Sequence, residues 1–154
     1  MKTWIGALFV WIMSVVGVFA EPGTLIVEFG DQQVSLGLTE LDAMPQSSFV
    51  TETIWTDGPV EFSGVTLFSI LNLGDVEGQT LNMVALNDYA VQMPISDITE
   101  DHPIIATRIN GAEMQVRDKG PYWIVYPYDR APEYQTETIY ARSIWQLVKL
   151  SVMN

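Results

Sequence analysis

The residues of this chain best suited to chemistry crowd into its second half. Arg117-Asp118-Lys119-Gly120-Pro121-Tyr122-Trp123-Ile124-Val125-Tyr126-Pro127-Tyr128-Asp129 sets charges and rings around two prolines, and Arg142-Ser143-Ile144-Trp145 follows. A flat heteroaromatic ligand needs a ring to stack on, a guanidinium to clamp or stack, and a carboxylate to accept from its amino groups, all in a pocket that is otherwise apolar. Trp55, Asp88, Tyr89, Tyr128 and Arg142 lie beside turn signals or strand ends, where side chains reach pockets. Trp123, Tyr126 and Trp145 sit in or beside apolar strands and read first as core.

Other chemistries find little support. The one histidine, His102, stands in the polar loop Glu100-Asp101-His102-Pro103, and no serine is framed by G-x-S-x-G. With no cysteine there is no disulfide, no thiolate ligand and no cysteine nucleophile, and a zinc site would have to be built almost wholly of carboxylates. Neither a calcium-loop pattern nor a glycine-rich phosphate loop occurs. Glu100 and Asp101 form a carboxylate pair, but neighbouring acids in so acidic a chain read as surface.

Charge narrows the partners further. Seven Lys and Arg against 19 Asp and Glu give a formal charge of −12, which excludes general nucleic-acid binding, because that affinity needs a basic face. From residue 21 to 107 there are 14 acids and no cation, so an anionic group must find its counter-charge among Arg108, Arg117, Lys119, Arg130, Arg142 and Lys149.

The elements that must hold these residues are short. The pattern predicts a hairpin of 24–29 and 32–38 around Gly30-Asp31. A helical turn capped at Thr39 follows, ended by Pro45, and then a strand over 48–55. A short extended piece at 60–62 precedes a helix from Val65 that stops near Gly74. Strands at 80–86 and 89–93 flank Asn87-Asp88, and a helical turn covers 95–98. The clearest hairpin joins 104–109 to 112–117 through Asn110-Gly111, before a buried strand at 122–126 and a last strand over 144–152. The expected class is α+β, mainly β, with short inserted helices. With 154 residues and no repeat or long linker, one domain is expected.

Residues 1–20 read as an address. Lys2 precedes an unbroken apolar and small-residue run that ends Val18-Phe19-Ala20 before Glu21-Pro22, the pattern of a signal peptide cleaved after Ala20. The alternative is an uncleaved N-terminal membrane anchor. Either way residues 21–154 form the exported domain, periplasmic in a Gram-negative bacterium, and loss of Lys2 on cleavage takes the formal charge to −13.

Phe62-Ser63-Gly64-Val65-Thr66-Leu67, Asn87-Asp88-Tyr89-Ala90, Pro94-Ile95-Ser96-Asp97, Ile104-Ile105-Ala106, Asn110-Gly111, Lys119-Gly120-Pro121, Tyr126-Pro127 and Arg142-Ser143-Ile144-Trp145-Gln146-Leu147, in that order, resemble the molybdopterin-binding domain of the sulfite oxidase superfamily over roughly residues 24–152. Catalytic members of that superfamily hold molybdenum through a cysteine thiolate about a dozen residues before the F-x-G-V turn. Here that count falls near Thr51-Glu52-Thr53. The chain is therefore more similar to the small, cysteine-free exported members that bind free reduced pterins, some of which act beside an inner-membrane protein with cyclic-di-GMP domains.

The resemblance implies a non-catalytic sensor with a pterin as its ligand, no covalent cofactor and no molybdenum. Its partner would be the periplasmic region of a membrane signalling protein. Trp55, Tyr89, Tyr128 and Trp145 would wall or stack on the pterin, Arg142 would meet O4 and N5 or a side-chain group, and Asp88 would accept from the 2-amino and N3 hydrogens. The alternative it leaves open is a molybdopterin-dependent oxidoreductase, or an orphan subunit of one.

Overall fold

The computed structural model describes residues 22–154, so the expected signal peptide at 1–20 lies outside the described residues. Among these residues ten strands form two sheets. The first contains β1 (Leu25–Phe29), β2 (Gln32–Leu36), β5 (Thr80–Ala85), β6 (Ala90–Pro94) and β10 (Leu147–Met153), ordered β2-β1-β10-β5-β6. Among the described residues only the β1–β10 pair is parallel, with Ile26 opposite Lys149. The second contains β3 (Ser47–Thr51), β4 (Val60–Thr66), β7 (Ile104–Ile109) and β8 (Ala112–Glu113) in that order, with β9 (Trp123–Val125) also paired to β7. The segment after β9 ties the sheets together. Trp123 bridges Trp145, Ile124 donates its N–H to Ile144, and Leu147 donates to Tyr122 as β10 begins.

Alternation explains the core. In β1 Leu25, Val27 and Phe29 are buried while their neighbours are not, and in β5 Leu81, Met83 and Ala85 do the same. β9 is buried at every position, as its rings and β-branched residues predict. These side chains join Phe62, Val65, Ile104, Ile105 and Leu150 in one hydrophobic cluster.

Three helices are short, and the structure revises each. α1 (Leu38–Asp42) starts at Gly37 rather than at Thr39, because the Glu40 carboxylate accepts the Gly37 N–H at 2.8 Å. α2 (Leu67–Leu71) begins later than its apolar spacing predicts: Val65 and Thr66 still belong to β4, and the Thr66 hydroxyl caps the helix by accepting from Ser69. α3 (Glu137–Arg142), capped by Thr136, has no counterpart in the sequence reading. Two strands also end early. β3 stops at Thr51 because Thr53 and Thr56 bond to each other and fold the chain back, and after β8 the chain enters a 3-10 turn at Val116–Asp118 instead of continuing as a strand.

Gly64 explains why β4 can lie so close to β7. The ladder between them slips at Ser63/Gly64, and a Cβ on Gly64 would run into the Ile105 carbonyl. No flexible side chain stands there to yield, so strand separation would have to grow. We predict that Gly64→Ala lowers stability by about 2–3 kcal/mol, read as a drop in thermal midpoint; an unchanged midpoint would show that the β4–β7 spacing is not set at this residue.

Candidate functional site

Trp55 is the hub of the site. Its indole, half-buried, meets Trp123 at 5.8 Å, Tyr128 at 6.3 Å, Tyr140 at 5.6 Å and Trp145 at 5.7 Å between ring centroids, each edge to face. That orientation places the positive ring edge of one aromatic on the negative face of the next, and each such pair contributes about 0.5–1.5 kcal/mol beyond its buried area.

Beside this cluster opens a pocket of about 260 Å³, walled by Trp55, Tyr89, Tyr140 and Trp145 with Asn87 and Ser143. The rest of its lining is Ala85, Ala141 and Ile144, so no ionised side chain faces it. Larger grooves exist, but they are mainly polar; the one at the β1–β2 turn, about 360 Å³, is rimmed by Asp31, Asp75 and Glu77.

Each wall is held by local hydrogen bonds. Thr53 Oγ1 accepts the Trp55 N–H at 3.0 Å, while the Asp129 carboxylate accepts the Glu52 N–H at 2.7 Å and anchors the same loop. Asn87 Oδ1 accepts the Tyr89 N–H at 3.2 Å in a turn where Asp88 takes a left-handed φ of 66°. The Tyr89 hydroxyl then spans to α3, donating to the Ala141 carbonyl at 3.3 Å. The Lys119 ammonium lies over Trp145, 5.3 Å from its centroid, and over Trp123 at 5.7 Å.

Of the six residues singled out from sequence, Trp55, Tyr89 and Trp145 line this one pocket. Tyr128 stands behind it, 2% exposed, and donates its hydroxyl to Ser143 Oγ at 2.6 Å; burial pushes its phenol up to about 12. Asp88 is exposed on the turn and does not line the pocket, although both its neighbours do. Arg142 lies in a separate groove with Tyr126, His102 and Tyr134, paired to Asp97 at 3.0 Å. Tyr140, Asn87 and Ser143 were missed. Tyr140 was unreadable because α3 was not recognised; Asn87 carried a usable signal, since an Asn-Asp turn between strands commonly aims one side chain back at its own backbone.

The second groove contains the lone histidine. His102 is not a solvated loop residue: Nδ1 lies 3.1 Å from the Thr99 hydroxyl, Nε2 lies 2.8 Å from that of Tyr134, and its ring meets Tyr134 edge-on. Burial, and after it the charge of Arg130, hold its pKa below the ordinary 6.5, with Asp101 and Glu133 opposing.

Two predictions follow from these contacts. Tyr128→Phe removes one buried hydrogen bond and costs about 1 kcal/mol, whereas Tyr128→Ala empties a core position and costs about 3–5 kcal/mol; equal losses in urea titrations would contradict a core placement. Because folding lowers the His102 pKa, the unfolded chain takes up a proton that the folded protein resists, so this contribution is complete above the unfolded value and is lost as pH falls through the folded one. Stability should decline as pH falls below about 6.5, and His102→Gln should flatten that slope; an unaltered slope assigns the decline to other groups.

No family model and no curated protein matches the sequence. Among solved structures, the chain is similar to the crystal structure of the sulfane dehydrogenase SoxCD from Paracoccus pantotrophus, with a TM-score of 0.66 and 15% identity. The match covers 90% of this chain and 40% of that one, so the present chain spans well under half the length of the protein it resembles. What the two share is a fold: mixed α/β, mostly strands with a few short helices, in line with the α+β, mainly β class expected from the sequence.

Proposed function

We propose that this protein binds a free reduced pterin and acts as a periplasmic sensor for a membrane signalling partner, one of the cyclic-di-GMP type. The observation that carries the reading is the pocket of Trp55, Tyr89, Tyr140 and Trp145, four rings around a small space without an ionised wall, on a fold of the sulfite oxidase type. A pterin is flat and carries its polar groups on its edges, so it gains most from rings on its faces and a few fixed donors. The Asn87 carboxamide reads a different part of the edge from the one the sequence gives to Asp88: its oxygen is engaged with Tyr89 and its NH₂ offers two donors, which suit the pterin acceptors O4 and N5 and not the 2-amino and N3 hydrogens. Arg142 acts at one remove: its pair with Asp97 holds the C-terminal end of α3, from which Tyr140 and Ala141 reach the pocket. A sensor also requires that ligand favour one conformation or complex over another; Tyr89, bonded to Ala141 across the pocket, is the group that an entering ring would displace.

The likeness to an oxidoreductase favours a second reading, and the donor set argues against it. At the stretch matching the family's thiolate position, Thr51 Oγ1 accepts from the Asp129 N–H, Thr53 Oγ1 is bonded to Thr56 and Trp55, and Glu52 is exposed. Oxygen donors already engaged in a loop do not fit a metal that is held by a soft thiolate.

The test is a fluorescence titration with a tetrahydropterin. The chain has five tryptophans, and the three described ones, Trp55, Trp123 and Trp145, all belong to the cluster beside the pocket. Quenching with a dissociation constant of about 1–10 μM is expected. Trp145→Ala should weaken binding at least about tenfold with little change in unfolding midpoint, and Arg142→Ala should weaken it less. No binding below about 100 μM would discard the pterin reading, and stoichiometric molybdenum in purified protein would replace it with the oxidoreductase one.

A further inference from the structure

The second sheet ends in an edge strand that is covered only where it stops, by Asp129 bonded to Thr51 and Glu52. β3 pairs with β4 along its whole length, Ser47 opposite Gly64 through Thr51 opposite Val60, and no other strand among the described residues pairs with it. Proteins usually blunt such edges with lysine, proline, a bulge or a covering element. β3, reading Ser-Ser-Phe-Val-Thr, has no lysine or proline, and its ladder to β4 runs without a register shift. The other edges differ: β6 ends in Pro94 and touches α3, β8 has two residues, and β2 presents Gln32, Gln33 and Ser35 to solvent. Along β3 and just beyond it, Val50 and Ile54 are each 63% exposed.

The charged side chains of β3, of the loop after it and of its partner β4 are all acidic, and Arg130, the chain neighbour of Asp129, acts on His102. Glu61 stands directly opposite Val50, Glu52 follows the strand, and Asp129 bonds to the Glu52 N–H. None of the three carboxylates has an ion-pair partner among the described residues, and the sequence supplies no cation anywhere from 21 to 107. An acidic, partly apolar, hydrogen-bond-hungry edge is complementary to an extended segment that alternates cationic and apolar residues.

We propose that β3 is a docking edge for an extended basic segment of a partner protein, which adds as a further strand to the second sheet. Backbone hydrogen bonds supply the register, the apolar side chains of the segment cover Val50 and Ile54, and its cations meet Glu52, Glu61 and Asp129. The inference rests on the edge and its charge and stands or falls separately from the pterin reading.

Amide chemical shifts of the ¹⁵N-labelled protein, titrated with a blocked seven-residue peptide of alternating lysine and valine, test it. Shifts are expected at Ser48 to Thr51, with an affinity that drops at least about tenfold between low and high salt. The same peptide N-methylated at alternate residues, and a glutamate–valine counterpart, should each bind at least about tenfold more weakly, because one cannot form the ladder and the other meets like charge. Val50→Lys, with an otherwise unchanged spectrum, should abolish the shifts. Shifts that map away from β3, survive N-methylation, or fail to appear at about 1 mM peptide overturn the proposal.

Discussion

The site depends on the packing of Trp55 against four other rings. Those rings come from β9, the turn after it, α3 and the approach to β10, so a single indole joins the loop after β3 to the segment that connects the two sheets. Edge-to-face contacts are directional, and this matters more here than their modest energy, because five rings meeting edge to face permit few arrangements. Three of the five, Trp55, Tyr140 and Trp145, also wall the pocket. Burial behind the wall is completed by Tyr128 and Ser143, whose hydroxyls satisfy each other and the Ile139 carbonyl, and by the Trp123 indole N–H, which donates to the Ser143 carbonyl. No buried side-chain nitrogen or oxygen among the described residues lacks a partner, as a rigid polar layer beneath an apolar surface requires.

Scarcity of cations shapes the rest. Arg108 grips Asp42 in two parallel bonds of 2.6 and 2.7 Å and holds α1 to β7, Lys149 pairs with Glu28 across the parallel strands, and Arg142 pairs with Asp97. Bonding to Arg108 and to Lys149 keeps Asp42 and Glu28 below their ordinary carboxylate values. Lys119 is spent on the faces of Trp123 and Trp145. With its few cations set at element junctions, the chain leaves its pocket uncharged and the β3 edge acidic. One composition thus leaves an uncharged aromatic pocket on one part of the molecule and acidic side chains at an exposed strand on another.

Several elements were legible because a local rule governs them. Alternation marks β1 and β5, Asn110-Gly111 marks the β7–β8 hairpin, and the apolar run 122–126 marks β9, whose side chains are buried at every position. Misreadings arose where a distant contact outranked the local pattern. β4 runs on through Gly64 because β7 lies against it, and α3 is a helix whose residues carry no apolar stripe of their own, since it is held by Asp97 and by Tyr89. Arg142 and Tyr140 are two residues apart on that helix, and neighbours at that spacing face different ways. One therefore enters the pocket and the other the His102 groove.

From the sequence alone came the class of the fold, the absence of any thiolate, the lopsided charge, and the list of rings from which a site would be drawn, since all of these depend on residue type, order and short-range period. Which rings share a pocket was decided by tertiary structure. Trp55, Tyr89 and Trp145 meet although they are 34 and 56 residues apart along the chain, and Tyr128, of equal promise in sequence, is turned into the core. Periodicity tells a side chain which face of its own element it occupies; only the docking of that element against others tells it whether the face meets solvent, core or cavity.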